Sequence, residues 1–512
     1  MLRRSLGALG AVALLARPAL GHAPRFDRRP GERVLRVVSP VEFAGPDPAR
    51  SGHVFARMGV GEMLLGTDTD GRPVPMLAAS WNASPDGLEY HFVLRSGVRF
   101  HDGSPLTAEA TAASLRHAHA AASPFSRAPV TAIEAAGDAV VIRLRRPFAP
   151  LPAILANYAS MILAPTAYDD AGRVRSVIGT GPYRVERFSP PLQLDIKRFD
   201  DWWGPRPAVA RASYLVVSQA EARATMAESG HADLTMALQP VTISRLRRVP
   251  RLQIMALPIP RTRILKLNAA SPLFADQRVR QALSMAIDRQ GIAQALLRNP
   301  ALAADQLFPT MLTGWHIPGP PPRRDLDRAR AMLTEAGWHP GADGILRDAQ
   351  GRRFACGCVT YISWPELPPI ATALQAQFRE LGVDMAVTIG NSSDIPRGHR
   401  DGTLEMALLA RNYALVPDPL GTLLQDFGAG GGDWGAMGWS DPALQAALDS
   451  LCLPGGDPMA VRRQAAAILR EALPVIPIAW SELAVAVSRD LTGVTIDPFE
   501  TSYRLHDMAW AG

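Results

Sequence analysis

Several things are scarce in this 512-residue chain, and each shortage excludes a class of protein. Its three cysteines, Cys356, Cys358 and Cys452, are an odd and small number, so no disulfide framework is expected. Cys356 and Cys358 are one residue apart and lack a second ligand pair, which makes a poor zinc site; they read as buried thiols. Lysine occurs only at positions 197 and 266, so the basic set is almost wholly arginine, a composition bias. Past residue 20 no apolar run reaches about 18 residues, which excludes a polytopic membrane protein. The Gly-x-Ser-x-Gly elbow, the His-Glu-x-x-His pair and the Gly-x-x-x-x-Gly-Lys loop are missing, so no catalytic residue, metal or cofactor is expected. Part of the +6 net charge comes from Arg3, Arg4 and Arg17; the remaining charges are interspersed and close to balance, which gives no footprint for a nucleic acid.

What is present fits a large folded chain. With 47% hydrophobic and 20% charged residues, the sequence can bury several cores and splits into two or three domains. Residues 1–23 read as a cleavable signal peptide, with a basic start, an apolar stretch from Leu6 to Leu15 and small residues before position 24. Export is therefore expected, by the general or the twin-arginine route. Strand alternation appears at Glu89–Arg95, Ala139–Arg145 and Val383–Ile389. Helical spacing appears from Val279 to Ile287, Ile370 to Leu381 and Val461 to Ala472, with Gly382 placed to end the second of these. Phe188-Ser-Pro-Pro191 reads as a turn and Pro318–Pro322 as a linker.

Three local patterns invite chemistry. Gly430 to Gly435 has the form of a dinucleotide fingerprint but follows no clear strand; it reads as a mobile loop whose Trp434 could cover a pocket. His117 and His119 are two apart on a helical segment, so they point to different faces and do not form a metal pair. Gly179 and Gly181 bracket Thr180, where backbone must approach something closely.

A set of longer motifs resembles the family 5 extracellular solute-binding proteins, which serve ABC importers of peptides and nickel. These are Pro75–Trp81, Ser84–Gly87, Tyr90 through Ala108, Ile178–Tyr183, Phe274–Asp288, Ala329–Trp338 and Leu473–Ile478. The resemblance implies an α/β, periplasmic-binding-protein-like fold (class II, cluster C), with two lobes, a hinge and an extra inserted subdomain. Lobe one is expected at 30–60 plus 176–265 plus 488–512, the insertion at 61–175 and lobe two at 266–487. It also implies a periplasmic monomer that binds a small-molecule or peptide ligand between the lobes and hands it to an ABC permease in the inner membrane.

Carried over residue by residue, the family's peptide-anchoring aspartate falls at Leu415, so a free peptide amine would lack its partner. The chelate-binding arginine of the nickel binders falls at Met161 and their metal-contacting histidine near Gly431. The expected ligand contacts are Phe125, Arg411, Tyr413, Trp434, Glu500 and Thr501, with Arg411 as anchor for an anionic group. The substrate expected is a small organic solute or short modified peptide. A nickel- or metal-chelate binder, a secreted hydrolase and a ligand sensor for a chemoreceptor are the alternatives.

Overall fold

The computed structural model describes residues 33–319, 323–414, 416–428, 431–455 and 457–512; residues 1–23, read above as a signal peptide, Leu415, Gly430 and the end of the 318–322 proline cluster lie outside them. The periodic segments form the elements their spacing demands. Strands run over Glu89–Leu94, Ala139–Leu144 and Asp384–Gly390, and helices over Gln277–Met285, Leu367–Leu381 and Pro458–Ala472. Gly382 ends the second helix at φ +90°, a left-handed conformation that suits glycine.

The largest sheet has ten strands, numbered here along the chain: β1 (Val34–Ser39), β2 (Tyr183–Ser189), β3 (Gln193–Arg198), β4 (Arg211–Val216), β5 (Leu234–Thr235), β6 (Leu252–Leu267), β7 (Ala355–Tyr361), β8 (Asp384–Gly390), β9 (Met406–Asn412) and β10 (Val475–Ser488). Their spatial order is β8-β7-β9-β6-β10-β5-β1-β4-β3-β2. β1 runs parallel to β4 and β5, and β7 runs parallel to β8 and β9. Two long antiparallel strands, β6 and β10, join these parallel groups. β5 meets β10 only at Val487 and Ala486, whereas β9 meets β6 only from Arg261 to Leu267. Between those contacts the β6–β10 ladder shifts register, between Ile259 and Thr262. Pro258 precedes that shift and Pro260 lies within it; neither can donate to the ladder, which favours an irregularity there.

A separate four-stranded antiparallel sheet, with Ala78–Ala83, Glu89–Leu94, Ala139–Leu144 and Val130–Ala136 in spatial order, packs against the helix Ala108–Ala120. The buried apolar residues fall into two large clusters. One gathers Leu35, Val37, Ile196, Tyr214 and Val487 around β1 and β4. The other runs from Phe92 and Ile142 of the insertion to Leu374, Cys358 and Leu408 around β7 and β9. The two clusters thus pack opposite ends of the ten-stranded sheet.

The Gly179-Thr-Gly181 segment lies against the backbone of Gly59–Gly61. A Cβ at Gly179 would come within 2.4 Å of the Val60 carbonyl oxygen, and one at Gly181 within 2.3 Å of that of Gly59. Between the glycines, Thr180 donates to the buried carboxyl of Glu62 at 2.8 Å, and the indoles of Trp203 and Trp202 donate to it at 3.0 and 3.2 Å. Glu62→Ala would strand those donors and should lower unfolding free energy by about 2–5 kcal/mol in denaturant titration. Burial raises the Glu62 pKa to about 7 against the pull of its donors. An unfolded glutamate titrates near about 4.3, so between these values the folded chain holds a proton that the unfolded chain has released. Stability from this residue therefore falls as pH rises through that window, and the thermal midpoint of Glu62→Gln should vary less across it.

Candidate functional site

Side chains from both halves meet beyond the carboxyl ends of the parallel strands, the usual place for a ligand crevice in an α/β sheet. A pocket there is lined by Ser39–Val41 after β1, Met236 and Ala237 after β5, Trp364 after β7, and by Arg57, Glu500 and Tyr503. The geometry is set locally. Asp497, almost fully buried, accepts the amides of Phe499 (2.9 Å), Thr501 (2.8 Å) and Ser502 (3.1 Å) together with the Thr501 hydroxyl. The loop so tied holds Glu500 at φ +57°, a conformation that costs a non-glycine residue about 1–3 kcal/mol.

From that position the Glu500 carboxylate reaches Arg261 of β6 at 2.5 Å, while its backbone carbonyl accepts from Arg57 at 2.7 Å. The Arg261 guanidinium lies 4.3 Å over the Trp364 ring, which restricts it further. This places the 497–502 loop, strand β6 and the aromatic that follows β7 in one cluster. Burial raises the Tyr158 pKa, opposed by the positive fields of Arg57 and Arg411; the same holds for Tyr361, where Arg261 and Arg411 are among the opposing charges.

Arg411 lies on β9 opposite Thr262, whereas Arg261 pairs with Asn412, so by register Arg411 and Arg261 lie on opposite faces of the sheet. Its Nε and Nη2 donate to Asp426 at 2.5 and 2.8 Å, and the carboxylate is fully buried. Asp426 closes the helix Pro419–Asp426, where the negative end of the helix dipole disfavours an acid; Arg411 offsets that cost.

The other expected contacts are placed as follows. Phe125 is fully buried in the core of the insertion, edge-on to His119. Tyr413 is fully buried, edge-on to Phe308, and among the described residues its hydroxyl has no hydrogen-bond partner. Trp434 packs half-buried against the second core. Its loop is held by Lys266, a fully buried lysine that donates to the carbonyls of Gly432 (3.0 Å) and Asp433 (2.9 Å) and contacts His399 Nδ1 at 2.6 Å. Thr501 gives its hydroxyl to Asp497 and lines a second pocket beside Glu62 and Trp202. Glu500 thus lines the pocket with Arg57, whereas Arg411, Phe125, Tyr413 and Trp434 are not among its lining residues. His117 stacks on Tyr168 at 4.2 Å, and among the described residues no group of three His, Cys, Asp or Glu could hold a metal ion.

The sequence reading passed over Arg57, Arg261, Trp364 and Asp426. One signal was available for Arg261: with Arg263 it puts two arginines on one face of an otherwise apolar strand, a costly arrangement unless both are paired. Removing only one member of the buried pair leaves a bare charge. Arg411→Ala should therefore lose about 3–5 kcal/mol of stability, and Arg411→Met combined with Asp426→Leu should recover most of it in denaturant titration.

Residues 72–434 match the bacterial extracellular solute-binding proteins, family 5. The chain is 27% identical over 386 residues to the nickel-binding periplasmic protein of Escherichia coli K12, covering 72% of each. It is 26% identical over 474 residues to the glutathione-binding protein GsiB of Shigella flexneri, covering 87% of each. Among solved structures, NikA of Brucella suis with Fe(III)-EDTA superposes with a TM-score of 0.83 at 23% identity, over 94% of this chain and all of that one. The oligopeptide-binding protein AppA of Bacillus subtilis, with a nonapeptide, gives 0.81 at 19% identity, over 94% and 99%. The chain belongs to the family 5 bacterial extracellular solute-binding proteins: it is the solute-binding component of an ABC importer, a binding protein and not an enzyme.

Proposed function

We propose that this protein is exported by its N-terminal segment and works as a monomer in the periplasm. There it captures a small organic solute carrying at least one carboxylate and delivers it to an inner-membrane permease. The observation that carries this reading is the meeting of Arg57 and Arg261 at Glu500 of the tied loop, beside the crevice. Guanidiniums hold a carboxylate through paired N–H donors, and Glu500 offers a partner to a positive group on the same solute. Glu500 and Thr501 are the expected ligand contacts that this reading keeps, joined by Arg57 and Arg261; Arg411, bound to Asp426, packs with Phe125, Tyr413 and Trp434. The lobes divide near residues 266 and 488, with residues 61–175 inserted, and the hinge lies where β6 and β10 shift register. Closure is favoured only by the contacts a solute makes in the closed state beyond those in the open one.

Native mass spectrometry of protein purified without denaturation should release an organic molecule with a carboxylate. Release of a nickel complex, or of a molecule without an anionic group, would overturn the assignment. Once that solute is in hand, Arg57→Met should weaken its binding by about ten- to a hundredfold in calorimetric titration, the loss of a charge-assisted contact.

A further inference from the structure

A second cavity of about 300 Å³ lies alongside the first and shares Ala237, Trp364 and Leu483 with it. Its floor is the register shift itself, with Arg261 and Arg263 from β6 and Ser481–Ala484 from β10; its two sides come from segments 237–247 and 297–302. Its size is at the lower end of small-molecule sites. Four arginines line it (Arg247, Arg261, Arg263 and Arg298), against the carboxylates of Glu366 and Glu482.

Two of these arginines are already occupied. Arg263 donates to Glu366 at 2.6 and 3.0 Å and to the Trp480 carbonyl at 2.5 Å, and Arg261 is spent on Glu500. Glu482 accepts from Asn299 at 3.1 Å. Arg247 and Arg298 remain exposed at the rim, and Arg298 is held at φ +59°, an uncommon conformation for its type. In the wall, Ser481 is 3% exposed and its hydroxyl has no hydrogen-bond partner among the described residues. A buried hydroxyl without a partner is costly, and the donors here outnumber the acceptors; what the cavity lacks is an acceptor.

We propose that this hinge cavity is an oxyanion subsite, taking the carboxylate or phosphate group of a small molecule between Arg247, Arg298 and the Ser481 hydroxyl. Because its lining comes from segments assigned to both lobes, an anion bound there touches both. The proposal rests on the two-lobed reading and not on which solute is carried.

Citrate and inorganic phosphate, titrated calorimetrically into the purified protein at low ionic strength, separate the two sources of the oxyanion; saturable binding of either supports the site. Arg247→Ala with Arg298→Ala should weaken that binding by about tenfold or more, the scale of a charge-assisted hydrogen bond. Ser481→Ala should weaken it by about fivefold while leaving the thermal midpoint unchanged or raised, since no bond within the fold is lost. A purely structural serine would show the reverse. Arg328→Ala with Arg330→Ala, two exposed arginines on the helix Leu326–Glu335, removes the same charge away from the cavity and should have little effect. The proposal is overturned if neither probe binds, if the cavity variants bind as the wild type does, or if the Arg328/Arg330 pair loses as much. Solute retained in native mass spectrometry reports on the carried ligand separately, so failure of the subsite and failure of the transport assignment are distinguishable.

Discussion

The antiparallel ladder between β6 and β10 is the constraint on which the rest of the molecule depends. Each strand is long enough to serve both halves, and each half attaches to a different stretch of it, β5 at residues 486–487 and β9 at residues 261–267. A uniform ladder would make one stiff sheet. The prolines at 258 and 260 and the register shift beside them interrupt it between those two attachments, and there the backbone geometry is least bound by pairing. Arg261 and Ser481, next to that interruption, line one cavity.

Arginine dominates this region for a physical reason. A buried lysine presents a compact, strongly hydrated charge, and burial lowers Lys266, one of only two in the chain, to a pKa of about 7. A guanidinium stays charged, stacks on an aromatic face as Arg261 does on Trp364, and can satisfy a carboxylate with two parallel bonds as Arg411 does with Asp426. Arg263 and Glu366 repeat the pattern on the floor of the hinge cavity. These pairs restrict the side chains before any solute arrives, which reduces the ordering cost of binding.

Local elements were legible because their cause is local. The alternation of Tyr90, Phe92 and Leu94, the spacing of Ile370, Leu374 and Phe378, and the glycine at 382 each report a period or a cap that needs no distant partner. The close approach at Gly179 and Gly181 was legible as a need for space, although its partners, Gly59 and Val60, lie about a hundred residues away in the chain and carry no matching signal. Arg411 came from the family resemblance, yet nothing near it named Asp426 as its partner. Glu500 came from the family resemblance, while its neighbours Arg57 and Arg261 are 443 and 239 residues away.

The sequence by itself determined the alternating strands and helices, the family, the expected export and the lack of a metal or catalytic motif, because periodicity, capping and short motifs are written in neighbouring residues. Only the tertiary structure decided which charges meet. Pairing across a crevice depends on strand register and on the path of the chain between lobes, and a one-residue change of register moves a side chain to the other face of a sheet.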